Sequence, residues 1–96
     1  MVSQKVIIQN STGLHLRPAG VLCNMAEQFR ASIRFQTGVS GGNAKSVLSV
    51  LGACIRCGDE IEFICEGPDE IEALRAMIRA VESGLGESIH KSSFKE

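Results

Sequence analysis

Gly13-Leu14-His15-Leu16-Arg17-Pro18-Ala19 stands between two different hydrophobic periods, and that change of period decides the fold. Before it, Val2, Gln4, Val6 and Ile8 alternate with Ser3, Lys5, Ile7 and Gln9, the two-residue repeat of a short strand over 2–9. After it, Ala19, Leu22, Cys23, Ala26 and Phe29 recur at threes and fours, which marks one face of a helix. Asn10-Ser11-Thr12-Gly13 supplies the turn between them. Pro18 is tolerated in a first helical turn because the N–H groups there have no partner inside the helix. The helix is therefore predicted to begin just after His15. An imidazole at a helix entrance, with an arginine two residues on, is suited to holding an oxyanion.

Outward from this stretch the chain keeps alternating between the two periods. Ala31 to Gln36 reads as a strand with Ile33 and Phe35 inward, Thr37-Gly38 reverses it, and Val39 to Asn43 returns weakly. Val47, Leu48, Val50 and Leu51 fit a short helix with Ser46 near its start, with a strand as the alternative because of the β-branched residues there. Gly58-Asp59 turns into a strand over 60–66 with Ile61, Phe63 and Cys65 on its buried side. In the last helix Asp69 and Glu72 have the offset of an N-cap and its capping-box partner. Ile71, Leu74, Ile78, Val81 and Leu85 form its predicted stripe, and Gly84 and Gly86 its stop. The order βαββαβα predicts an α+β fold: a two-layer, open-faced sandwich whose four-stranded, mostly antiparallel sheet carries the long helices on one face. Residues 1–86 are expected to form one domain, and 87–96, with His90, a polar tail.

Composition narrows the function. Ninety-six residues support one modest core, and a net charge of −1 with four Phe and no Trp or Tyr gives no footprint for direct nucleic-acid binding. No apolar run reaches the roughly 20 residues that span a bilayer, and the N-terminus lacks the pattern of a signal peptide. A cytoplasmic protein without membrane insertion is expected. Four cysteines raise the question of disulfides or metal. Cys23 and Cys65 fall on buried faces, where thiols pack as small hydrophobes. Cys54-Ile55-Arg56-Cys57 has the spacing of a zinc half-site or a redox pair, but no second close pair completes a tetrahedral site, so no metal and no cofactor is expected.

The heptapeptide around His15 closely resembles the active-site signature of the HPr family, the histidine-containing phosphocarriers of the bacterial phosphoenolpyruvate–sugar phosphotransferase system. A second stretch, Lys45-Ser46-Val47-Leu48-Ser49-Val50-Leu51, looks like the family's regulatory segment, and Gly58-Asp59-Glu60-Ile61 matches in kind and place. The similarity covers roughly residues 1–86. It implies that His15 is phosphorylated, on Nδ1, by Enzyme I charged from phosphoenolpyruvate, and passes the group to IIA domains of sugar permeases. It implies also that Ser46 is modified by an HPr kinase/phosphorylase, the phosphoserine form being a poorer substrate for Enzyme I and a partner of a catabolite-control transcription factor. The chain departs from the pattern at Leu16, where a small alanine is usual, and at Ser49, where glycine is common. Gly52-Ala53-Cys54 replaces a serine–leucine–glycine run, which removes a glycine from the predicted end of the short helix.

The residues suit that chemistry on their own terms. An imidazole with an ordinary pKa near 6.5 offers a free ring nitrogen at neutral pH without a separate base. The amides of Leu16 and Arg17 at the helix entrance are candidate donors to phosphate oxygens, with Arg17 as the neutralising cation. Pro18 removes a competing donor and is expected to hold Arg17 toward extended backbone. Thr12 is placed beside the imidazole by its position in the turn. At Ser46 a phosphate adds about −1.5 to −2 charge where a helix N-terminus tolerates it. Val47, Leu48 and Leu51 are the candidate apolar docking patch. Each feature also has a plainer reading: a solvated turn histidine, a surface arginine, a capping serine, a half-buried helix face. With one nucleophile and no third group to orient it, the chain reads as a covalent carrier and not a turnover enzyme. An HPr-like regulatory binding module is the alternative.

Overall fold

The structure, a computed structural model, describes residues 1–86. The tail predicted over 87–96, with His90, lies outside the described residues. Seven elements follow one another: β1 (Val2–Ile7), α1 (Leu16–Glu27), β2 (Ser32–Gln36), β3 (Gly41–Asn43), α2 (Val47–Gly52), β4 (Glu60–Glu66) and α3 (Glu70–Glu82). The strands form one sheet in the order β1-β4-β2-β3, every neighbouring pair antiparallel. The last strand thus inserts between the first two and joins them.

Register explains the two faces. Phe35 lies opposite Phe63 and Ile33 opposite Cys65, and all four are buried. On β1, Val6 faces Ile61 and Val2 faces Cys65, half-buried at the sheet edge. The opposite face carries Lys5 against Glu62, with Arg34 and Gln36 from β2, and is open. Helix α1 presents Ala19, Leu22, Cys23 and Ala26, and α3 presents Ala73, Met77, Ile78, Ala80 and Val81, to the covered face. The α+β open-faced sandwich is the architecture the periodicities predict.

Several local expectations are corrected. β1 ends at Ile7 and Gln4 stays exposed, because β1 is an edge strand whose inward row is only partly covered; Ile8 is the fully buried residue. β3 keeps only Gly41–Asn43, since Thr37 draws the turn tight: its Oγ1 accepts from Ser40 N at 2.9 Å and its own N donates to Ser40 O at 2.7 Å. The buried stripe of α3 is rotated from the predicted one: Ile71 is 56% exposed and Leu74 half-buried, while Ala73 and Met77 face the core. Small Ala73 and flexible Met77 allow close approach to the sheet, and hydrophobicity alone did not distinguish them. Its end is as expected, with Gly84 N donating to Val81 O and Leu85 N to Ala80 O, the paired bonds of a Schellman stop.

Asp69 stands at the helix N-cap without a side-chain capping bond, so no capping box forms with Glu72. Its carboxylate instead accepts from Arg30 N at 3.0 Å and Ala31 N at 2.8 Å, tying the start of α3 to the turn between α1 and β2. Those backbone donors hold its pKa below the usual carboxylate value, the Arg30 amide first among them. Glu70 is held low in the same way by Gly67 N and by the terminal amine of Met1 at 3.0 Å.

Candidate functional site

The turn before α1 is built on Asn10 and Gly13. Asn10 is fully buried, and its Nδ2 donates to Gly13 O while Gly13 N donates to Asn10 O at 3.0 Å. Gly13 has φ +69°, and a Cβ there would come within 2.6 Å of Ile55 O and 2.8 Å of Arg56 Cα. Leu14 N donates to Ile55 O at 3.0 Å. The turn is thus clamped to residues 55–56, and buried Leu14 and Ile55 seal the seam. In the sequence Asn10 is an ordinary turn residue; nothing local marks it as buried.

His15 emerges from this clamp as the N-cap of α1, with extended backbone (φ −73°, ψ −177°), and is exposed. Its ring makes no capping bond, so neither nitrogen is engaged by its own helix. Its carbonyl accepts from Ala19 N at 2.8 Å, which closes the first turn. Leu16 and Arg17 occupy the first two helical positions, whose amides have no acceptor inside a helix, and no acidic residue stands in that turn. Pro18 is the third position and is buried. Arg17 is therefore helical, and the expectation that Pro18 would keep it extended is corrected. The helix bond between Ala19 and His15 and the burial of Pro18 outweigh that steric preference. Leu16 is 68% exposed and Arg17 is exposed beside it.

A shallow cleft of roughly 280 Å³ lies at His15, lined by Thr12, Leu14, His15, Leu51, Cys54, Ile55 and Arg56. The fold brings Thr12 and Leu51 to the same cleft as the imidazole, whereas Arg17 lies outside the lining. Cys54 and Arg56 are the additions. They sit within the C-x-x-C stretch, whose spacing pointed elsewhere, and reach His15 only because the 55–56 backbone pairs with the turn.

Ser46 is the N-cap of α2, and its Oγ accepts from Ser49 N at 3.2 Å. Leu48 is 82% exposed, Val47 and Leu51 are half-buried, and Val50 alone of the helix is buried. α2 packs on α1 and β3, so its exposed apolar side continues from Leu51 into the His15 cleft. The missing glycine at the end of α2 has a direct consequence: Cys54 itself adopts the left-handed conformation, φ +53°.

All four cysteines are free. Burial pushes the Cys23 and Cys65 thiols above their ordinary pKa, with nearby carboxylates adding to the effect. Cys54 is exposed on the cleft, while Cys57 Sγ turns toward Gln9 O at 3.8 Å. Among the described residues no cluster of three or more His, Cys, Asp or Glu is arranged to hold a metal. No helix among them is long and apolar enough to cross a membrane.

The imidazole of His15 is thus exposed at a helix mouth, unengaged by that helix, and opens onto an apolar shoulder. The sequence profile of the PTS-HPr family, described as "PTS HPr component phosphorylation site", matches residues 2–83, and the chain belongs to that family of phosphocarriers. It is 36% identical over 87 residues to the phosphocarrier protein HPr of Treponema pallidum, covering 91% of this chain and 99% of that one. It is 35% identical over 82 residues to the HPr-like protein Crh of Halalkalibacterium halodurans, covering 85% and 98%. The crystal structure of HPr-C-His from Thermoanaerobacter tengcongensis superposes with a TM-score of 0.88 at 32% identity, covering 93% and 100%. It is 39% identical over 83 residues to the multiphosphoryl transfer protein of Vibrio cholerae, the match covering 83% of this chain and 21% of that one.

Proposed function

We propose that this chain is a phosphoryl relay in which His15 takes the group from phosphoenolpyruvate-charged Enzyme I and passes it to IIA domains of sugar permeases. One observation carries the reading: His15 stands exposed at the entrance of α1, next to two helix amides without intrahelical acceptors. A ring nitrogen of His15 attacks phosphorus as the N–P bond to the donor breaks, and the donor nitrogen leaves with the electron pair. The second transfer is the same exchange with His15 as the leaving group, so the carrier must not stabilise the bound group too strongly.

The amides of Leu16 and Arg17 receive the phosphoryl oxygens, Arg17 neutralises developing charge, and Thr12 borders the ring. Pro18 keeps the third helical position free of a competing N–H. The reaction consists of stoichiometric exchange in the cytoplasm, with no cofactor. Val47, Leu48 and Leu51 dock the partners: Enzyme I, IIA domains, and in the regulated state an HPr kinase/phosphorylase and a catabolite-control transcription factor. Phosphorylation at Ser46 acts on docking by adding negative charge beside that patch. In this reading residues 1–86 are the phosphocarrier domain.

The regulatory alternative, in which Ser46 is the business end, is favoured by the similarity to a Crh protein. The presence of exposed His15 weighs toward the carrier. Incubation with phosphoenolpyruvate and Enzyme I, read by intact mass, separates the two. The carrier gains one acid-labile phosphoryl group that His15→Ala abolishes; a wild type that gains none refutes the relay.

A further inference from the structure

We propose that Arg56 is a second guanidinium for the phosphoryl group, reaching it from the cleft, whose lining does not include Arg17. The inference rests on His15 as the phosphoacceptor and adds a residue of this chain to that site.

Three observations converge on it. Arg56 lines the same cleft as His15 and Thr12. Its backbone is fixed there: Arg56 N donates to Asp59 Oδ2 at 2.9 Å, and its Cα lies 2.8 Å from where a Cβ on Gly13 would stand. From Gly13 to His15 is two residues, at most about 7 Å of extended chain. An arginine side chain and an imidazole span that gap between them. Finally, the guanidinium is uncommitted, since Arg56 is exposed and among the described residues its side chain has no hydrogen bond or ion pair. Asp59, the nearest acid in sequence, is engaged by its carboxylate with the Arg56 amide.

A phosphohistidine carries close to two negative charges on three acceptor oxygens. The two helix amides and Arg17 approach from the helix side, leaving at least one oxygen facing the cleft. A planar fork of N–H donors matches that oxygen edge better than a point charge does. Arg56 thus favours the dianionic form and shifts the relay toward the loaded carrier.

The test loads His15 chemically with phosphoramidate, which needs no Enzyme I, and follows the 31P resonance through a pH titration. The wild type should show a phosphoryl pKa about half a pH unit below that of Arg56→Gln, a modest value because the site is solvated. Arg56→Lys should recover part of the difference, and Arg34→Gln, a charge-matched change on the open sheet face, should leave the wild-type value. Coincident wild-type and Arg56→Gln titrations overturn the proposal. So does an Arg56→Gln protein that is slow only in transfer from Enzyme I, which would assign the residue to partner contact. A wild type that loads chemically but never from Enzyme I, with the titration difference intact, refutes the relay and leaves the Arg56 contact standing.

Discussion

Gly13→Ala is the substitution on which the architecture of the site turns. An alanine at φ +69° pays the left-handed penalty of about 1–2 kcal/mol. Its methyl would sit 2.6 Å from Ile55 O, well inside the 3.4 Å of ordinary contact, and both obstructing groups are backbone. The turn must therefore move away from residues 55–56, which sacrifices the 3.0 Å bond from Leu14 N to Ile55 O, a further loss of about 1 kcal/mol. Together the expected destabilisation is about 2–3 kcal/mol, or a fall in melting temperature on the order of 10–20 °C for a domain this small. Urea denaturation with an unchanged m-value measures it, and phosphoryl uptake from Enzyme I should fall because His15 moves with the turn. Gly20→Ala is the control. Gly20 lies inside α1 with nothing beyond its own helix within 4 Å of the added methyl, so the same change should stabilise by about 0.5–1 kcal/mol. Equal responses at the two positions would refute the clamp.

Other outcomes follow from single contacts. Ser46→Ala removes the 3.2 Å cap on Ser49 N and should lower stability by about 1 kcal/mol in chemical denaturation, quite apart from any phosphorylation. Asp69→Asn should be less stable than the wild type at neutral pH, with the gap closing on acidification. Because the folded-state pKa of Asp69 is lowered, its contribution is present above the unfolded value near 4 and disappears as pH falls through the folded one. Thermal melts from pH 7 down to pH 2 should converge; a constant difference would contradict the tether. Cys54→Gly relieves a left-handed side chain at φ +53°, and after the added chain entropy of glycine the net gain should stay under about 1 kcal/mol. A lower urea midpoint for this variant would show that the Cys54 side chain contributes more than its backbone strain costs.

The alternation of periods, and with it the four strands, the three helices and the open-faced sandwich, is legible in the residues alone. So are His15 at a helix entrance, Ser46 as a cap and β4 with Ile61, Phe63 and Cys65 inward, because each depends only on residues a few positions apart. Tertiary structure alone decided the order β1-β4-β2-β3, the rotation of α3 that exposes Ile71, and the diversion of Asp69 from its own helix to Arg30 and Ala31. It likewise brought Cys54 and Arg56 to the imidazole across about 40 residues of chain, through the pairing of Leu14 with Ile55. Those features are competitions between a local partner and a distant one, and the distant donor or cavity exists only once the sheet has closed around β4.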